Sequence, residues 1–344
     1  MSKIHNFDND LPKLDGKTIL LTGGTGSFGK AFVKQIIKLY KPKKLIVFSR
    51  DELKQFEMAQ EFSPEKYEFM RYFIGDIRDK DRLIMAMRGV EIVVHAAALK
   101  QVPAAEYNPF ECINTNVIGA ENIVQAAIHN SVNKVIALST DKASNPVNLY
   151  GASKLASDKI FAAANHLSGD AGTCFSVVRY GNVIGSRGSV IPFFKKLIDE
   201  GVESLPITDE RMTRFWITIE QGVYFVLSSI ECMQGCEIFV PKIPSMKVVD
   251  VAKYVAPHMP HNVIGIRPGE KVHESLISED ESRQTFELED RYVIGPSFSQ
   301  WNKQNIKNRG GELLPEGFSY TSDKNSEWLN SDSLSQLLDE TDVY

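Results

Sequence analysis

Short, nearly continuous apolar runs recur along the chain as far as Tyr180, each closing on a small or polar residue. Residues 17–22, 44–48, 67–74, 91–95, 134–138 and 173–178 lack the alternation of a half-exposed strand. They read as strands covered on both faces, the habit of parallel sheets. The stretches between them carry apolar residues at helical spacing, predicting helices over 30–39, 79–87, 109–130 and 150–167. Strand and helix in turn predict an α/β fold built on a doubly wound parallel sheet. Past Asn182 the alternation breaks. A loop over 185–189 leads to a helix over 192–199, while 219–232 (helix) and 237–240 (strand) are expected to return to the sheet. Segments 248–256, 263–266 and 270–277 are expected to form a smaller C-terminal substrate-binding domain. The boundaries follow: 16–181 with a returning segment about 216–245, then 182–215 with 246–296, then a tail over 297–344. The tail is rich in Ser, Asn, Gln and Asp, and reads as a segment that wraps or frays, with Trp301 and Trp328 as anchors. The first sixteen residues read as a loose lead-in.

The first strand ends directly in Gly23-Gly24-Thr25-Gly26-Ser27-Phe28-Gly29 and a helix. Strand, glycine turn and helix give a dinucleotide fingerprint its required context and mark the sheet as Rossmann-type. Small residues there let the backbone approach a pyrophosphate, with amides of the helix start facing the anion. Gly23, Thr25, Gly26, Ser27, Phe28 and Gly29 are the candidate contacts. The second strand ends at Ser49-Arg50-Asp51. A guanidinium in this place can clamp a 2′-phosphate, which favours NADP, although Asp51 could turn in and favour NAD. Asp76 and Ile77 follow the third strand as an adenine edge, and Ala96, Ala97 and Ala98 open the fourth strand's end to the cofactor. His95 reads as a packed strand-end histidine rather than a catalyst.

The fifth strand runs into Ser139-Thr140-Asp141-Lys142, and the next helix opens with Tyr150 and Lys154. Four residues apart on a helix, the phenol and the amine share a face. An ammonium favours the phenolate, so Tyr150 can take a hydroxyl proton as a hydride leaves the same carbon. Thr140, Asp141 and Lys142 sit where open parallel sheets bind their ligands. An acid beside an amine could divide the two proton transfers of an elimination, and a plain dehydrogenase needs no such pair. Arg187, Arg211, Arg214 and Arg267 in the later loops suit a diphosphate substrate.

Composition narrows the picture. At 344 residues with 43% hydrophobic content and net charge −5, the chain is an ordinary globular one without the basic balance of a nucleic-acid binder. No run approaches the roughly 18 apolar residues of a membrane span, so a cytoplasmic location is expected. Cys112, Cys174, Cys232 and Cys236 show no metal spacing and read as free thiols.

Together these motifs resemble the extended short-chain dehydrogenase/reductase superfamily. Residues 22–29, 49–54, 95–100, 139–142 and Arg267-Pro268-Gly269-Glu270-Lys271 look more narrowly like the inverting UDP-N-acetylglucosamine 4,6-dehydratases, which open the pseudaminic acid pathway. Retaining relatives typically carry Asp-Glu after the Thr, where this chain has Asp141-Lys142. The resemblance implies Lys54, Lys100 and Asn116 as further cofactor contacts, and Lys100, Asn182, Arg187, Thr208, Arg214, Arg267 and Glu270 as substrate contacts. It implies UDP-GlcNAc as substrate, no metal, and a homo-oligomer, hexamer or dimer. An amino-terminal membrane region found in some relatives is expected to be absent. In the implied mechanism Lys142 removes the C5 proton and Asp141 protonates the departing C6 hydroxyl. If both stay charged as an ion pair, the roles reverse or water mediates. A UDP-sugar 4-epimerase, a C5-retaining dehydratase and a non-catalytic nucleotide binder share the fold and remain the alternatives.

Overall fold

The structure, a computed structural model, describes residues 4–186, 189–296 and 301–339. The apolar runs form β1 (Thr18–Thr22), β2 (Lys44–Ser49), β3 (Met70–Ile74), β4 (Ile92–His95), β5 (Lys134–Thr140) and β6 (Cys174–Tyr180). They belong to a ten-stranded sheet in the order β3-β2-β1-β4-β5-β6, continued by Ile238–Pro241. Every pair in that series is parallel. Leu20 of β1 lies level with Ile46 of β2 and Val93 of β4, all in the main core. Strand order reverses around β1, and the split between β1 and β4 opens the crevice in which doubly wound sheets bind ligands.

Several expectations shift in the structure. β3 begins at Met70 rather than residue 67, because Ser63 accepts hydrogen bonds from the amides of Lys66 and Tyr67 and holds the chain in a turn. The helix expected over 109–130 is interrupted. Asn114–Ile118 forms a π-helical turn, and a separate short helix, Val102–Tyr107, precedes it. The extra residue of a π turn re-aims its neighbours. Here Asn116 bridges inward, accepting from the Leu99 amide at 2.8 Å and donating to Ser153 Oγ at 2.9 Å. The lead-in is anchored, with Phe7 buried edge-on against Phe225 at 4.9 Å.

The segment 285–294, assigned from sequence to the smaller domain, instead extends the main sheet. Arg291–Ile294 pairs antiparallel with Ile238–Pro241, then come Thr285–Glu287 and, from the tail, Glu312–Leu313. Trp301 packs on Phe286 and donates to the buried Glu237 carboxylate at 3.1 Å. The helix Ser331–Asp339 seats Leu334, Leu337 and Leu338 in a second core around Trp216 and Met246. Burying such side chains contributes about 2 kcal/mol each. That is reason enough for this part of the tail to dock rather than fray.

Thr213–Ile217 is the central strand of a small sheet with Asn182–Val183 and Ser245–Lys247. Residues 182–183 thus hand the chain from β6 to the layer above the sheet's carboxyl edge. No helix among the described residues is long and apolar enough to cross a membrane.

Candidate active site

A cleft of about 680 Å³ runs from the glycine turn to the start of the helix Leu149–Leu167. At one end Gly23 has φ +66°, and a Cβ there would stand 2.8 Å from the Ala97 backbone. Two strand ends therefore meet with no side chain between them, leaving a bare cradle of the kind a pyrophosphate needs. Thr25 Oγ1 and Ser49 Oγ lie 3.1 Å apart beside it. Asp51 also lines this end. Its carboxylate caps the helix Glu52–Glu61 through the Lys54 amide at 3.0 Å and pairs with Lys54 Nζ at 2.7 Å. Those contacts hold the Asp51 carboxyl below its usual range. Arg50 is half exposed, its Nη1 at 3.7 Å from Asp76 Oδ2.

At the other end the chemistry is concentrated. β5 stops at Thr140, and Asp141–Ala143 makes a single 3-10 turn. Gly151 lets the helix start press on that turn, because a Cβ at 151 would lie 2.2 Å from the Lys142 carbonyl oxygen. Asn148 caps the helix through the Gly151 amide at 2.8 Å and ties it to the 267–271 loop by donating to Gly269 O at 2.7 Å. The result sets Tyr150, Lys154, Thr140 and Lys142 on one wall.

Asp141 is 1% exposed and lies beneath that wall. Its Oδ1 accepts from Thr140 Oγ1 at 2.9 Å and from Lys142 Nζ at 3.1 Å, while its Oδ2 has no hydrogen-bond partner. A second buried carboxylate, Glu274, places Oε1 at 3.4 Å from Lys142 Nζ. Burial disfavours the Lys142 ammonium, but Asp141 and Glu274 outweigh it and raise its pKa. The implied mechanism needs Lys142 neutral when it takes the C5 proton. The resting site instead holds it as the cation of an ion pair, since two carboxylates face one ammonium. Tyr150 is pushed up to about 12 by burial, with Lys142 exerting the strongest downward pull and a hydrogen bond with Thr140 the next. The amine that most favours its phenolate is therefore Lys142 rather than Lys154. Burial lowers Lys154, opposed by Asp158 one turn further along the same helix. Asp158 is in turn held by Arg179 at 3.2 Å, a fully buried guanidinium that also reaches Glu281 at 3.0 Å.

The structure brings most sequence-selected residues onto the cleft: Gly23, Thr25, Gly26, Ser27, Phe28, Gly29, Ser49, Arg50, Lys54, Asp76, Ile77, Ala96, Ala97, Ala98, Lys100 and Asn182, with the four wall residues above. Asn116 stands behind the wall, bonded to Leu99 and Ser153. Thr208, Arg214, Arg267 and Glu270 do not line the cleft. Arg214 is buried and spends its donors on the carbonyls of Thr213, Val272 and Lys271. Thr208 faces Met212 Sδ at 3.6 Å, and Arg267 is largely exposed, 3.9 Å from Glu270. Arg187 lies outside the described residues. Sequence reasoning missed Glu274, which no local spacing connects to Lys142. It also missed Gln101, Tyr180, Ser186 and Ser189 on the cleft.

Residues 19–296 match the polysaccharide biosynthesis protein family. The chain is 57% identical over 335 residues to the UDP-N-acetylglucosamine 4,6-dehydratase (inverting) of Campylobacter jejuni subsp. jejuni serotype O:23/36 (strain 81-176), covering 96% of this chain and 99% of that one. It is 41% identical to a UDP-glucose 4-epimerase of Rickettsia massiliae (strain Mtu5), over 94% of this chain and 95% of that one. Among solved structures, Pen from Bacillus thuringiensis superposes with a TM-score of 0.86 at 35% identity, over 96% of this chain and 99% of Pen.

Proposed function

We infer, from the premise that this chain belongs to the polysaccharide biosynthesis protein family, that it is an inverting UDP-N-acetylglucosamine 4,6-dehydratase. The observation that carries the reading is the Asp141–Lys142 ion pair at 3.1 Å, set on the cleft wall beside Tyr150. An oxidoreductase that only exchanges hydride has no use for that pair, whereas an elimination needs an acid and a base together. The product is the C5-inverted UDP-2-acetamido-2,6-dideoxy-β-L-arabino-hexos-4-ulose. A hydro-lyase of the pseudaminic acid pathway, cytoplasmic and homo-oligomeric, belongs to the same proposal.

The residues present fit a dinucleotide. The bare meeting of Gly23 with Ala97 leaves room for a pyrophosphate, and the cleft continues without a break to Tyr150 and Lys154. Ser49 and Arg50, with Asp51 committed to Lys54, favour NADP over NAD. Gly23, Thr25, Gly26, Ser27, Phe28 and Gly29 would hold its phosphates, and Asp76, Ile77 and Ala96–Ala98 its rings. When bound, the nicotinamide supplies a hydride acceptor and later a hydride donor, with no net redox change.

The chain's own residues manage the protons. Tyr150 takes the C4 hydroxyl proton, with Lys142 and Lys154 offsetting the phenolate charge. Shifting one proton from Lys142 to Asp141 across their contact leaves an amine on the cleft and an acid beneath it, at constant net charge. Lys142 then removes the C5 proton, acidified by the 4-keto group. Asp141 is too deeply buried to reach the sugar, so its proton passes through Thr140, whose hydroxyl is 2.9 Å away and lines the cleft. The C6 hydroxyl leaves as water. Lys100 and Asn182 are the substrate contacts that lie on the cleft, while Thr208, Arg214, Arg267 and Glu270 stand off it.

A 4-epimerase is the second reading, favoured by the Rickettsia relatives. Mass decides between them. Incubated with a panel of nucleotide sugars, the protein is expected to convert UDP-N-acetylglucosamine to a keto product lighter by one water. A product of unchanged mass would replace dehydration with epimerisation.

A further inference from the structure

Glu274 stands at the start of a short strand, Ser275–Ile277, far from Lys142 in sequence. Its backbone is pinned by Ser322, whose Oγ accepts from the Glu274 amide at 2.9 Å and whose amide donates to its carbonyl at 2.8 Å. The side chain is 2% exposed, and its Oε2 has no hydrogen-bond partner. Three cations surround it, with Lys142 Nζ nearest at 3.4 Å and Arg214 Nε and Lys271 Nζ each at 3.8 Å. Arg214 gives its Nη donors to three backbone carbonyls, and Lys271 Nζ donates to Ser144 O at 2.6 Å. Leaving a carboxylate buried with an orphan oxygen is costly unless a charge partner holds it. Lys142 is the nearest of the three and the one that lines the cleft.

We propose that Glu274 is a positioning residue for Lys142, acting as the second carboxylate that fixes the ammonium on the cleft wall and sets the ease with which it yields its proton. The inference rests on the dehydratase reading above. While Asp141 and Lys142 trade a proton, the Glu274 side chain keeps that of Lys142 from swinging away. The charged and titratable groups facing Lys142 are Asp141, Glu274 and Tyr150, with Arg214 and Lys271 behind. Asp141 and Glu274 favour its cation, whereas Arg214 and Lys271 oppose it. Removing the Glu274 charge therefore makes Lys142 easier to deprotonate.

The test is the rate at which deuterium from D2O enters C5 of UDP-N-acetylglucosamine, followed against pH with NADP present. Above the pH-independent contribution of the Lys142-to-Asp141 shift, the rate rises with pH as the pair as a whole loses its proton to solvent. In Glu274→Gln that acid limb is expected to move to lower pH by about one to two units, the size of one nearby charge in a partly screened site. Glu274→Asp withdraws the carboxylate by one methylene and is expected to move the limb the same way by less, which keeps the test available should the Gln variant fail to fold. A folded variant whose profile superimposes on wild type after vertical scaling would overturn the proposal, leaving Glu274 a structural residue. Wild-type protein that releases no water from the sugar would overturn the dehydratase reading instead, a result visible before any variant is made.

Discussion

Gly151→Ala adds one methyl group and should remove most of the activity. The new Cβ would sit 2.2 Å from Lys142 O, 3.1 Å from Lys142 C and 3.1 Å from Pro146 Cβ. A carbon needs roughly 3.3 Å from a carbonyl oxygen, so the helix start and the 141–143 turn must part by about 1 Å. The turn's backbone is the obstacle, which excludes relief by rotamer change. Helix propensity alone would reward the substitution by about 1 kcal/mol, while overpacking costs about 1–3 kcal/mol, so the net stability loss is at most modest. Turnover responds more sharply. Tyr150 moves with the helix and Lys142 with the turn, and a misplacement of about 1 Å costs on the order of 10²-fold. The assay pairs kcat for keto-sugar formation with NADP affinity and thermal unfolding. The glycine turn is remote from residue 151, so dinucleotide binding should persist while kcat falls. Gly222→Ala serves as control: it lies in the helix Ile219–Cys232 with nothing within 4 Å of its Cβ, and should raise stability by about 0.5–1 kcal/mol. Wild-type kcat in Gly151→Ala would refute the claim that contact between these two segments sets the site.

Arg179→Met strands the buried Asp158 and the partly buried Glu281, and is expected to cost about 3–5 kcal/mol in chemical denaturation; a loss under about 1 kcal/mol would show that the acids find other partners. His95 is buried, bonded to Thr22 at 2.8 Å, and its pKa is lowered from 6.5 to about 3 by burial, with Lys154 adding to the effect. The unfolded chain therefore binds a proton that the folded one refuses, and stability falls as pH drops below 6.5 by up to about 1.4 kcal/mol per unit. The slope of unfolding free energy measured between that pH and about 5 should flatten in His95→Asn, and an unchanged slope would contradict the assignment. Arg50→Ala should weaken NADP binding about 10- to 100-fold while leaving NAD nearly untouched, as titration of both cofactors would reveal.

What the sequence disclosed follows the range of the interactions concerned. Tyr150 and Lys154 are set by helical spacing, and Thr140 to Lys142 by their place past a buried strand, so local pattern was enough to find them. The glycine turn needed only its strand and helix. The π turn at Asn114–Ile118 escaped because its cause is tertiary: Asn116 must reach Leu99 and Ser153. Glu274 escaped for the same reason, meeting Lys142 only once the chain has crossed the sheet and returned. The arginines show another limit of local pattern. A guanidinium in a loop looks ready for phosphate, yet Arg214 is buried with its Nη donors on three carbonyls, which spacing does not reveal. The lead-in and tail misled by composition, since a few buried side chains such as Phe7 and Leu334 outweigh a polar average.

The central claim is that one ion pair turns a sugar oxidation into loss of water within a single site. UDP-N-acetylglucosamine carrying deuterium at C4 tests it most directly, read by NMR of the product. The account predicts the label at C6 of a 4-keto sugar, with no reduced cofactor accumulating. Deuterium still at C4, with the hydroxyl there retained or inverted, would contradict it.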